Sequence, residues 1–162
     1  MARLETDYAV LSRVKPIDAK PNARSQKYRI ADNFLNFWFR FIFRNRSAVE
    51  TENFAYVREI VDRDYDTYSG LLLEKFYREL FTEMKTYNRI GSSWEKGNKN
   101  EIDLIAINDL KKKLVIAEVK LNRSKIDIIA LKTKAERLLS AYPGYQVEWL
   151  ALGLEDIEAY VR

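Results

Sequence analysis

The chain has no cysteine and no histidine in its 162 residues. Without cysteine there are no disulfides, no thiolate metal sites and no cysteine nucleophile; without histidine there is no serine–histidine triad and no imidazole ligand. Long apolar runs are also missing. None approaches the ~20 residues that cross a bilayer, and Met1-Ala2-Arg3-Leu4-Glu5 is followed by polar residues, not by the apolar stretch of a secretory signal. These absences make a soluble cytoplasmic protein the expectation. The chemistry left to the chain is that of carboxylates, lysine, tyrosine and hydroxyls, and carboxylates alone select hard cations such as Mg²⁺ or Mn²⁺. No G-x-x-x-x-G-K-[ST] phosphate loop occurs in these residues, so no ATP site of that kind is expected.

What is present is an apolar content of 47%, rich in aromatics, with 10 Tyr, 8 Phe and 3 Trp, enough for a folded core. A net charge of +4 is compatible with nucleic-acid binding but too small to argue for it. Two short β patterns, Tyr8 to Val14 and Lys27 to Ile30, flank a loop with Pro16, Pro21 and Asn22 and predict a hairpin. Asp32 or Asn33 then caps a predicted helix through Arg44. In it Phe34, Phe37, Trp38 and Phe41 repeat at i, i+3, i+4, i+7, while Leu35, Phe39, Ile42 and Phe43 spread apolar surface round the cylinder. Such a helix is buried or covered by a partner.

Further helices are expected over Glu50 to Asp62 and Tyr68 to Thr86, the latter with a core stripe of Leu72, Leu73, Phe76, Leu80 and Met84. After Gly91 the period shortens. Ser92 to Glu95 predicts a short strand, Gly97 to Asn100 a turn, and Glu101 to Ile107 with Lys113 to Val119 an antiparallel pair. Ser124 with Asp127 resembles a capping box opening a helix to Ala141, stopped by Pro143 and Gly144. A strand over Val147 to Leu152 and a short helix from Glu155 end the chain. The fold class is α/β, an α+β mixed sheet whose core runs helix, strand, strand, strand, helix, strand. Residues 1–31 form the hairpin, 32–66 an aromatic helical segment, and 67–162 the core.

Within that core, Asp103 lies in one apolar strand and Glu118-Val119-Lys120 ends the next. Side chains of a strand alternate, so Glu118 and Lys120 emerge on one side, roughly 7 Å apart. Ionised groups on a buried strand are costly without a partner or a metal. If Asp103 shares their face, two carboxylates and an ammonium can hold a divalent cation and stabilise charge building on a phosphate oxygen, with Glu74 adding an oxygen from its helix. The structural alternative is a pair of salt bridges, Lys120 with Glu118 and Arg78 with Glu74.

Asp103, fourteen residues, then Glu118-x-Lys120, in this order of elements, resembles the PD-(D/E)XK nuclease superfamily. More of the chain resembles one branch: Tyr28 to Phe41, Ile90-Gly91 with Trp94 and Gly97, and Glu101 to Ala106 are similar to the uncharacterised domain at the C-terminus of archaeal-type AAA ATPases. The resemblance implies a restriction-endonuclease-like αβββαβ core and a hairpin left from a winged-helix module. It implies that Asp103 and Glu118 bind Mg²⁺ or Mn²⁺, that Lys120 is the catalytic lysine, and that Glu74 is the acid donated by the first core helix. Ile102 stands where the superfamily's often-replaced proline would be. Glu101 is a lesser candidate, since another acid adds repulsion.

Two functions follow as expectations. One is Mg²⁺-dependent hydrolysis of DNA phosphodiesters, with Lys96, Lys99, Lys111, Lys112, Lys113, Arg123 and Lys125 available to track the backbone. The other is a noncatalytic DNA-binding or dimerisation accessory of an ATPase, docking through the aromatic helix Phe34 to Phe43. Tyr87, Trp94 and Tyr145 are expected in the core or at its rim.

Overall fold

The computed structural model describes residues 2–20 and 25–161, which fall into two compact units. Pro21 and Asn22 of the expected hairpin loop lie outside the described residues.

One unit comprises residues 1–14 and 26–69. A short helix α1 (Ala2–Thr6) precedes the antiparallel hairpin β1 (Leu11–Val14) and β2 (Lys27–Ile30), paired from Leu11↔Ile30 to Val14↔Lys27. Asp32 caps α2 (Asn33–Phe37), its carboxylate accepting the Leu35 N–H at 2.7 Å. The helix then widens to a π turn over Trp38–Ile42, tightens to a 3₁₀ turn over Phe43–Asn45, and resumes as α3 (Arg46–Glu50). Only one side of this segment is covered: Phe41 is fully buried, and with Phe37 it meets the Tyr68 ring edge-on at 5.5 and 5.8 Å. Phe34, Trp38, Phe39 and Phe43 are exposed.

The next helix corrects the sequence reading. The two expected helices are one, α4 (Phe54–Glu83), 30 residues long. The apolar stripe lapses over Arg63 to Thr67, but that stretch holds no glycine or proline, and loss of a stripe does not end a helix. Its C-terminal half, from Gly70, belongs to the second unit. There Leu73, Tyr77 and Phe81 are buried, with Phe76 and Leu80 packed beside them, whereas Met84, expected in the stripe, is exposed.

The second unit comprises residues 15–25 and 70–162. Its sheet has the order β3 (Arg89–Ser93), β4 (Ile102–Asn108), β5 (Lys113–Val119), β6 (Gln146–Leu152). The first three strands are antiparallel neighbours, and helix α5 (Ile128–Leu139) carries the chain over so that β6 runs parallel to β5. The chain ends in a short helix α6 (Ile157–Tyr160). With α4, this is the expected order helix, strand, strand, strand, helix, strand. Leu104, Ala106, Val115, Ala117 and Val119 pack on the α4 side, while Ile105, Ile107, Leu114 and Ile116 pack against Leu131, Ala135 and Leu138 of α5. Covered on both faces, β4 and β5 read as continuous apolar runs.

The cap of α5 also differs from expectation. Asp127 is itself the N-cap, accepting the N–H groups of Ile129 and Ala130 at 2.8 and 3.1 Å, while Ser124 is held by Asn122. The outer edge of β3 is covered by the segment from Lys15: Ile17 N–H donates to Ser92 C=O at 2.9 Å, and Asp18 accepts from Arg89 and Tyr142.

Candidate functional site

The functional candidates meet at the ends of β4 and β5. The β4–β5 register runs to Leu104↔Ala117, and the next residues outward are Asp103 on β4 and Glu118 on β5. Strict alternation stops at this point. Ile102 packs on the α5 side and Leu104 on the α4 side, and the pairing with β3 jumps from Ile105↔Gly91 to Ile102↔Ser93, leaving one extra residue on β4. Asp103 sits at that bulge. A bulge breaks the ladder and re-aims a side chain; here the Asp103 carboxylate takes the N–H of Val119 at 2.9 Å, a main-chain donor lying between Glu118 and Lys120.

Helix α4 locks the other side of Asp103. The Arg78 guanidinium donates to the Asp103 C=O at 2.8 Å and lies 3.5 Å from Glu74, one helical turn back. Burial first, and then the nearby charge of Glu74, push the Asp103 carboxyl up to about 7. The Val119 N–H opposes the rise, and Glu118 and Glu101 add to it. Asp103 is thus a carboxyl among carboxylates, close to the pH at which it changes charge.

Glu118 follows the alternation of β5 and points to the α5 side, almost fully buried. The Lys134 ammonium on α5 reaches both its oxygens, at 2.8 and 3.1 Å. Lys120 lies 3.6 Å from the same carboxylate and donates to the Lys125 C=O at 3.1 Å. Both salt bridges of the structural alternative, Lys120–Glu118 and Arg78–Glu74, are therefore present. Among the described residues no three Asp or Glu side chains converge tightly enough to cage an ion by themselves.

Sequence reasoning missed Lys134. Its signal lay in spacing, because Lys134 follows Leu131 by one turn and adjoins Ala135 on the stripe of α5 that faces the sheet. Lysine on a core-facing stripe requires an acid opposite, and Glu118 is that acid. Of the basic candidates, Arg123 pairs with Asp156 at 2.8 Å. Trp94 is buried, Tyr87 packs on the α4-side core and Tyr145 donates to Asp109 at 2.9 Å.

The fold and cluster define a mixed α/β domain with an acid–lysine group at adjoining strand ends. Residues 38–138 match the family described as archaeal and bacterial proteins of unknown function, DUF234, and the chain belongs to it. The matched span contains Glu74, Asp103, Glu118, Lys120 and Lys134. A relative in Methanocaldococcus jannaschii, the uncharacterised protein MJECL04, is 38% identical over 117 residues, covering 68% of this chain and 26% of its own length. The chain therefore spans about a quarter of that relative. No solved structure matches it significantly. No helix among the described residues is long and apolar enough to cross a membrane.

Proposed function

We propose that this chain carries a PD-(D/E)XK-type site for divalent-cation-dependent hydrolysis of DNA phosphodiesters. The observation that carries the reading is Asp103, half-buried near Glu74 and Glu118, its carboxylate fixed by the Val119 N–H that lies between Glu118 and Lys120. Burial is the larger cause of its raised value, and the charges of Glu74, Glu118 and Glu101 add a repulsion that a bound cation would relieve.

The donor set fits such an ion. Mg²⁺ and Mn²⁺ take oxygen ligands, and Mg²⁺ is commonly held by one or two carboxylates with water completing the shell, so a three-acid cage is not needed. Asp103 and Glu118 would hold it, with Glu74 alongside. When bound, the ion supplies Lewis acidity and a more acidic water. The chain's own residues do the rest. The Val119 N–H fixes the Asp103 carboxylate, Arg78 anchors its main chain, and Lys120, half-exposed at the strand end, orients a water or meets the charge on a phosphate oxygen.

The test is incubation with single-stranded, duplex and branched DNA under Mg²⁺ or Mn²⁺. The expected result is cation-dependent cleavage that Asp103→Ala abolishes; intact DNA across the panel contradicts the reading. A second reading, an accessory domain that binds a partner, a second copy or an ATPase chain, is favoured by one observation. Phe34, Trp38, Phe39 and Phe43 are 69%, 42%, 42% and 49% exposed on one helical segment. Sedimentation tests self-association, with a concentration-independent monomer counting against the dimer.

A further inference from the structure

The unit that holds the acid cluster also holds a cavity of about 460 Å³, in the range of small-molecule sites. Two of its lining residues tie it to the cluster. Ile102 immediately precedes Asp103, and Lys134 is the lysine on Glu118. A molecule seated in this cavity therefore abuts the acids.

The lining is amphipathic in a specific way. Trp94, Ile102, Leu138 and Pro16 provide apolar surface, and Asn100 provides an amide with both donors and an acceptor. The charges do not cancel evenly. Asp18 is matched by Arg89, which lies outside the lining, and Glu95 pairs with Arg137 at 3.5 Å. Lys96 has no acidic partner among the described residues, and Lys134 shares its acid, Glu118, with Lys120. Apolar and aromatic surface lined also by an amide and ammonium groups matches a planar base joined to a phosphate.

We propose that this cavity is a nucleotide subsite, taking one unpaired nucleotide of the strand whose backbone reaches the acid cluster. The proposal rests on the nuclease reading for its orientation and adds the substrate class. A base enters a surface cavity of this size only out of the helical stack, so single-stranded, frayed or flipped nucleotides are the ligands and intact duplex is not. Lys134 sits between the two places, on Glu118 at one side and lining the cavity at the other, where it meets the nucleotide's phosphate.

The experiment is calorimetric titration of the full chain, free of divalent cations, with thymidine 5′-monophosphate, deoxyribose 5-phosphate and inorganic phosphate. The nucleotide is expected to bind about tenfold or more tightly than either phosphate control. Ala141 is exposed and lines the cavity, so Ala141→Trp fills it from the surface and should weaken the nucleotide about tenfold. Lys96→Ala, on an exposed turn, should weaken all three ligands and provides the second variant should the tryptophan perturb the fold. Equal affinity for nucleotide and phosphate, no binding at millimolar ligand, or binding untouched by both variants overturns the proposal. Binding sensitive to Ala141→Trp in a protein that cleaves no DNA sustains the subsite and removes the nuclease reading. Asp103-dependent cleavage without nucleotide binding does the reverse.

Discussion

The carboxylate of Asp103 accepts the main-chain N–H of Val119 at 2.9 Å. Val119 is the residue between Glu118 and Lys120, so one hydrogen bond fastens the acid of β4 to the acid–lysine pair of β5. The β4–β5 pairing ends at Leu104↔Ala117, and beyond it the Asp103 side chain takes the Val119 N–H.

Asp103 makes stability fall with rising pH. An aspartate titrates near 4 in an unfolded chain and this one at about 7 when folded, so the folded state holds the proton more tightly. Its contribution is complete below about pH 4 and is lost as pH rises through about 7, on the order of 3–4 kcal/mol in all. Urea midpoints between pH 5 and 8.5 without divalent cations should decline in wild type. Asp103→Asn, which keeps an oxygen for Val119, should flatten that decline.

Glu118 and Lys134 should prove energetically coupled. Lys134→Met leaves a nearly buried carboxylate with only Lys120 at 3.6 Å, and Glu118→Gln leaves the lysine facing a neutral group. Each is expected to cost about 1–3 kcal/mol, below the full penalty for a buried pair because Lys134 is partly exposed. The double variant should cost less than the sum, and a denaturation cycle measures the difference. Strict additivity would show that the ion pair contributes nothing.

Tyr77 is fully buried and donates to the Gly153 C=O at 2.6 Å, joining α4 to the end of β6. Burial raises its hydroxyl to about 12, with Asp156 adding to the rise. Tyr77→Phe should cost about 1–2 kcal/mol through the unsatisfied carbonyl. A neutral result in chemical denaturation would mean that water replaces the hydroxyl.

The start of α5 offers a sharp comparison. Asp127→Ala removes two capping bonds and should cost about 1 kcal/mol. Ser124→Ala, at the residue that the sequence marks as the cap, should change stability by less than about 0.5 kcal/mol. Melting curves of the two variants give the order directly.

The core of the fold was legible because its signals are local. The apolar runs of β4 and β5 with a short polar link dictate a hairpin, and the Pro143–Gly144 stop, with Gly144 at φ 77°, dictates where α5 hands over to β6. The length of α4 was hidden, since a helix crossing from one unit to the other changes its buried stripe partway and imitates two helices. At the site, Asp103, Glu118 and Lys120 stood out as charges on apolar strands. The Arg78–Glu74 pair was legible from its i, i+4 spacing, but Lys134 on Glu118 and the reach of Arg78 to the Asp103 C=O were not, because tertiary packing alone makes those contacts. The bulge that aims Asp103 is a register shift against β3, which periodicity in one strand does not encode.

The most direct test of the acid cluster is calorimetric titration of Mn²⁺ into wild type and Asp103→Asn at pH 8, with melting curves of the same samples. The cluster predicts saturable binding and a raised melting temperature in wild type, both lost in the variant. Identical binding and melting in the two proteins, or no binding in either, would contradict it and leave Asp103, Glu118 and their lysines as a structural ion-pair network.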